Sequence, residues 1–308
     1  MNKEEVKGLV RQWNNQRLRE HIAGYLFILP NLLGVLFFII VPLVFSFILI
    51  FMDWDYLKGL DGLSFTGFDN IILMFKDDYL LTSLKNNVIF TAVTVPASMA
   101  LGLVVAVILN KHVYWRNVWR TLFFLPYVSS LVAISIVWSV IYNSSSGPLN
   151  SFLRSMGIQN PPGWLADPKW ALFSIIIMVV WTYIGYTMVL YMAGLQGISK
   201  DLYEASEIDG AGAIHQFIKV TIPMLKPTSF LIAITLIIST FQVFAVVNVM
   251  TKGGPLNSTM VLSYHIYLQA FQHYKMGYAA AMSWFLFLII FAVTLVQWRS
   301  QKKWQQHF

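Results

Sequence analysis

Three carboxylates, Glu204, Glu207 and Asp209, fall within six residues, and His215 follows shortly after the Asp209-Gly210 pair. Carboxylates and a histidine gathered beside a membrane are what a lipid-modifying enzyme or transferase would need, and no other such cluster occurs in the chain. The surrounding residues argue against that chemistry. Gly210 and Gly212 make a G-x-G, but His215 stands where a third glycine would cradle a phosphate, and no strand precedes it. No G-x-x-x-x-G-K-[ST] loop is present, so the chain has no phosphate-binding loop for ATP. His265 and His273 lie eight residues apart, too few ligands for a metal site, and the absence of cysteine excludes disulfides and thiolate ligands.

The elements around this cluster are apolar. The composition is 57% hydrophobic and 11% charged, against about 25% charged in soluble domains. A bilayer takes roughly 20 residues of helix, and six runs reach that length: Tyr25–Phe51, Val88–Leu109, Thr121–Tyr142, Ala171–Met192, Thr228–Met250 and Ala279–Trp298. Barrel strands alternate over about 10 residues, and these runs do not, so the expected fold class is an all-α polytopic membrane protein with six transmembrane helices. Pro30, Pro42, Pro96 and Pro126 fall inside runs and are expected to bend them. None of the six cores holds Asp, Glu, Lys or Arg well inside, which disfavours a proton-coupled secondary carrier. No inverted repeat is evident either.

Lys and Arg set the orientation. With the N-terminus inside, inner segments hold 14 of the 21 and outer segments 7, although the outer loops are longer in total. Both termini, and the acidic insert between the fourth and fifth spans, are therefore expected in the cytoplasm. The +7 net charge expresses this bias and gives no case for nucleic-acid binding. The expected organisation is a cytoplasmic tail (1–22), a first span with its outer loop (23–84), a transmembrane domain (85–299) containing the insert (203–223), and a cytoplasmic tail (300–308). The polar N-terminal tail does not begin a cleavable signal, so the first span is expected to stay as an anchor. "NSS" at Asn143 and "NST" at Asn257 match the short glycosylation pattern in outer loops.

The insert, "YEASEIDGAGAIHQFIKVTIPMLKP" from Tyr203 to Pro227, reads as two short helices around a turn. Leu202, Ala205 and Ser206 share one face, and Ile214, Phe217, Ile218 and Thr221 share another. Gly210 supplies the turn, and Pro223 and Pro227 stop continuation. An amphipathic helix lying on an anionic leaflet is usually basic; this one begins with carboxylates and small residues, which favours a protein partner over lipid.

The segment resembles the EAA motif of permeases in binding-protein-dependent ABC importers, roughly E-A-A-x-x-x-G followed by I-x-L-P. Glu204, Ala205, Gly210, Ile222 and Pro223 fit it, and Ser206 replaces the second alanine. "YLFILPNLLGVLFFIIVPLVFSF", "GFDN", "LGLVVAVILN", "WRTLFFLPYV", "YMAGLQGISKDLYEA" and "TKGGPLNSTMVL" extend the resemblance, in order, to MalF/UgpA-type sugar permeases over nearly the whole chain. The first outer loop is short, so the large periplasmic domain of the maltose permease is missing. The resemblance implies a non-catalytic half-channel in the bacterial cytoplasmic membrane whose coupling helix, through Glu204, Ala205, Ser206, Asp209, Gly210, Ile222 and Pro223, docks an ATPase. It implies as partners a second permease subunit, two ABC ATPase subunits that bind ATP and Mg, an extracytoplasmic sugar-binding protein and a carbohydrate substrate. No cofactor is expected on this chain. Glycerol phosphate or another solute of the same family is the nearest alternative substrate.

Sugars are held by aromatic faces and by amides and hydroxyls. Tyr127 in "LPY" and Tyr186 match aromatic positions of the resembled family, and Tyr183 shares a face with Tyr186. In the fifth span Thr240 and Gln242 stand where the family shows Asn. These five are the expected substrate contacts. A buried amide without a partner costs roughly 1–3 kcal/mol, so Gln242 is expected to face the pathway or another polar helix.

Overall fold

A computed structural model describes residues 3–110 and 113–305. Among the described residues, four unbroken helices are long and apolar enough to cross a membrane: Arg19–Leu49, Asp78–Asn110, Ala171–Gln196 and Met276–Arg299. Two bent pairs, Arg116–Val128 with Leu131–Ile141 and Ala213–Met224 with Lys226–Phe241, bring the number to six if each pair is one span. The chain is therefore helical and multi-pass, as expected.

Ala171–Gln196 is the axis of the bundle; Ile175, Met178 and Met188 on it are fully buried. Two glycines let its neighbours close on it. A Cβ on Gly102 would sit 1.8 Å from Thr187 Oγ1, and one on Gly185 would sit 2.1 Å from the Phe123 carbonyl oxygen. Helix association in a membrane relies on such close backbone approach, because lipid supplies no hydrophobic drive between helices. The first helix, by contrast, has only 6% of its apolar window buried.

Four expectations are corrected. The second span does not begin at Val88 but at Asp78, taking in the buried Ser83, Asn86 and Asn87, which face protein rather than lipid. The third run is not one helix: Ser129 is extended and Ser130 non-helical, and the halves meet at 97°. Ser129 Oγ donates to the Leu125 carbonyl at 2.8 Å, an alternative to continued helical pairing just beyond Pro126. The fifth run stops at Phe241, and a separate short helix, Ala245–Met250, follows after Gln242–Phe244. Nor is the molecule purely helical. Met52–Trp54 pairs antiparallel with Leu63–Phe65, register Met52↔Phe65, and Trp54 Nε1 donates across the enclosed turn to the Gly59 carbonyl at 2.8 Å.

Two prolines announce themselves by the turn before them. Pro42 follows a π-helical turn, Leu36–Ile40, closed by Val41 N–H to Leu36 O, and Pro223 follows another, Phe217–Thr221, closed by Ile222 N–H to Phe217 O. Proline lacks the N–H for an ordinary bond and crowds the carbonyl four residues back. A widened turn accommodates both effects without ending the helix.

Candidate functional site

The insert folds through local rules. Ser199 caps the helix Lys200–Ile208, its hydroxyl accepting from Asp201 N–H at 3.2 Å. At the other end Gly210 takes φ +80°. Its N–H bonds the Glu207 carbonyl and the Ala211 N–H bonds the Ser206 carbonyl, both at 2.9 Å, the paired closure of a left-handed helix stop. A second helix, Ala213–Gln216, runs through the π turn to Ile222–Met224, and the chain then bends by 63° into Lys226–Phe241.

Glu204, Ala205, Asp209 and Gly210 are exposed, Ser206 is half-buried, and Ile222 is exposed beside a half-buried Pro223. Ile208 and Ile214 project from the reversal at 87% and 78% exposure. The two arms are braced by Tyr203 and the buried Thr221, whose hydroxyls lie 3.0 Å apart. Among the described residues no group of three or more His, Asp or Glu could hold a metal. The insert therefore presents two exposed isoleucines beside exposed carboxylates.

The second site is a cavity of about 320 Å³ against the axial helix. Tyr127 reaches it from the break in the third run, Thr182 and Tyr183 from the axial helix, and Ser239 and Thr240 from the end of Lys226–Phe241; Ser129 adds a hydroxyl. Among the described residues no charged side chain lines it. Tyr186 stands behind the wall: its ring stacks on Tyr127 at 4.8 Å, and its hydroxyl donates to Thr235 Oγ1 at 3.1 Å. Thr240 Oγ1 donates to the Leu236 carbonyl at 2.8 Å, leaving its lone pairs to accept from a ligand. Gln242 lies outside the lining with an exposed side chain, its N–H ending the helix on the Ile238 carbonyl at 3.2 Å. Of the five expected contacts, the structure thus brings Tyr127, Tyr183 and Thr240 to the cavity. Ser129, Thr182 and Ser239 were missed; Thr182 adjoins Tyr183, Ser239 adjoins Thr240 and Ser129 lies two residues after Tyr127, which was the available signal.

A third constellation was also missed. Asp77 accepts hydrogen bonds from His265 Nε2, at 2.8 Å, and from the Tyr278 hydroxyl, and its other oxygen accepts from Tyr79 N–H at 2.8 Å. Burial alone would raise the Asp77 carboxyl, but the bonds from Tyr278, His265 and Tyr79 outweigh it and hold the group below its ordinary value. The structure thus gives His265 a carboxylate partner.

Residues 98–305 match the family described as "Binding-protein-dependent transport system inner membrane component". The chain is 36% identical over 287 residues to the lactose transport system permease protein LacF of Rhizobium radiobacter, covering 92% of this chain and 95% of that one. It is 34% identical over 245 residues to the sn-glycerol-3-phosphate transport system permease protein UgpA of Agrobacterium fabrum, covering 79% and 83%. In fold it is similar to a chain in the crystal structure of a bacterial ABC transporter involved in the import of the acidic polysaccharide alginate, with TM-score 0.81 at 20% identity over 95% of this chain and 99% of that one. A cavity without charge, an exposed acidic reversal and these likenesses agree: the chain belongs to the inner membrane components of binding-protein-dependent transport systems, the permeases of ABC importers.

Proposed function

We propose that this chain is one half of the translocation path of an ATP-driven carbohydrate importer in a bacterial cytoplasmic membrane, with both termini in the cytoplasm. The observation that carries the substrate class is the cavity: tyrosine faces and hydroxyls around about 320 Å³ with no charged lining residue. Stacking faces and neutral donors suit a polyhydroxyl ligand. A phosphate would call for Arg, Lys or a helix N-terminus, so glycerol phosphate, the solute in the name of one relative, is the second choice.

The chain performs no catalysis and holds no cofactor. Two ABC ATPase subunits bind ATP and Mg, a second permease completes the path, and an extracytoplasmic sugar-binding protein delivers the solute. Coupling runs through the insert. Ile208 and Ile214 seat in the ATPase, Glu204 and Asp209 meet its rim, and the Tyr203–Thr221 brace passes a displacement to the 63° joint at Leu225. Beyond that joint Lys226–Phe241 carries Ser239 and Thr240 into the cavity wall, so one rigid helix links the docking surface to the path.

The test is uptake by the reconstituted complex of a neutral sugar and of glycerol phosphate. Tyr127→Ala should lower sugar uptake up to about tenfold, the scale of a lost polar contact, with ATP hydrolysis retained. Preferential uptake of glycerol phosphate, or wild-type uptake by Tyr127→Ala, would overturn the assignment.

A further inference from the structure

We propose that Asn86 and Asn87 are positioning residues of the transport path, holding the segment 251–262, buried over its last four residues, and the end of helix Lys226–Phe241 where they shape the cavity wall. The proposal rests on reading that cavity as the substrate path. Asn87 is fully buried; its Nδ2 donates to the carbonyls of Thr240, at 3.4 Å, and Phe241, at 3.3 Å, and its Oδ1 accepts from Leu262 N–H at 2.7 Å. Asn86 is 7% exposed, and its Nδ2 donates to the carbonyls of Asn257, at 3.0 Å, and Met260, at 2.9 Å.

A helix that stops at membrane depth leaves its last carbonyls without intrahelical partners, and lipid offers none. An amide side chain has the two donors and the acceptor this break requires. Its placement matters because one carbonyl it holds belongs to a wall residue, Thr240, and the other to Phe241 at the break, just beyond which Val243 and Val246 line the cavity. Asn86 fixes the layer behind them, where Met260 and Val261 pack in one cluster with Phe90, Val246 and Val247. One side chain therefore sets the wall and its neighbour sets the backing. Neither asparagine lines the cavity.

The chain lacks cysteine, so single cysteines can report each region in the full complex with ATPase and binding protein. Ser239→Cys reports the wall and Ile214→Cys the insert, each read by its rate of reaction with a membrane-impermeant maleimide. Asn87→Ala should change labelling at Ser239→Cys by about threefold or more, in keeping with the loss of several hydrogen bonds, and leave Ile214→Cys unchanged. Without either reporter, Asn87→Ala should raise the KM for sugar uptake while ATP hydrolysis persists. Asn86→Ala, which leaves the Asn87 bonds in place, should act in the same direction and more weakly. Assembled variants with unchanged wall labelling and wild-type uptake would overturn the proposal. So would variants that fail to assemble or shift both reporters alike, since the asparagines would then serve the fold in general. Failure of the path reading itself would appear separately, as wild-type uptake by Tyr127→Ala.

Discussion

Helix Lys226–Phe241 is flanked by two interruptions, the insert before it and the segment 242–267 after it, and the two are built by opposite means. The insert is largely exposed, and its hydrogen-bonded side chains find partners no more than 18 residues away. The second interruption is buried in part, though Gln242, Lys252 and Leu256 are exposed, and it is tied by Asp77, Asn86 and Asn87 across 171 to 188 residues of chain. A surface that must receive another protein has to be shaped by its own backbone before the partner arrives. On the proposed reading, a wall at membrane depth needs the carbonyls at its helix break satisfied by protein groups, and here these come from across the fold.

That contrast can be broken most forcefully at Gly210. A β-branched side chain is strained at φ +80°, so Gly210→Val should disrupt the helix stop and reduce sugar uptake by more than about tenfold, at a cost on the order of 1–2 kcal/mol or above locally. Membrane insertion and Ser239→Cys labelling should stay unchanged. Glu204→Lys reverses the charge at an exposed position of the docking face; copurified ATPase should fall several-fold, and more so at low salt, where exposed charges are least screened. Smaller still, Tyr203→Phe removes the hydroxyl that meets Thr221. Uptake per ATP hydrolysed should drop by about threefold, matching a net bond of about 0.5–1.5 kcal/mol.

The smallest effect is expected at Asp77. Its folded carboxyl lies below the ordinary value, so its stabilising contribution is complete above the usual range of about 4 and is lost as pH falls through the depressed value. Hydrogen exchange in residues 262–278 should be insensitive to this group from neutral pH down to about pH 5 and should rise only below about pH 4. Asp77→Asn should abolish that dependence. A midpoint near neutral pH would mean that the carboxylate is not what holds His265 and Tyr278.

The same difference decides what was legible in the sequence. The insert could be read because its devices are local: a turn glycine after Asp209, small residues ahead of it and prolines behind it. That the chain crosses the membrane several times could be read from run length, though not the breaks in the third and fifth runs, and residue type and resemblance pointed to Tyr127, Tyr183 and Thr240, which the fold places at the cavity. Asn86 and Asn87 escaped because a polar pair at the edge of an apolar run looks like the end of a span. Only the fold shows that the helix began eight residues before Asn86 and that both amides face protein. The stop at Phe241 escaped for a related reason. No glycine or proline marks that stop in the sequence, and the amide that takes up its last carbonyls is 153 and 154 residues away in the chain. Gln242, expected to face the pathway or another polar helix, is exposed and lies outside the cavity lining, while Asn87 is a buried amide that finds its partners across the fold.

The central claim is that a separate ATPase drives this path through the insert. In the cysteine-free chain, Ile208→Cys places a single thiol on the most exposed apolar residue of the reversal, and a short thiol-to-amine crosslinker added to the transport-competent complex should join it to the ATPase subunit. The account predicts that this crosslink forms in high yield and that its formation halts sugar uptake. A complex that transports normally while Ile208→Cys never crosslinks to the ATPase would contradict it.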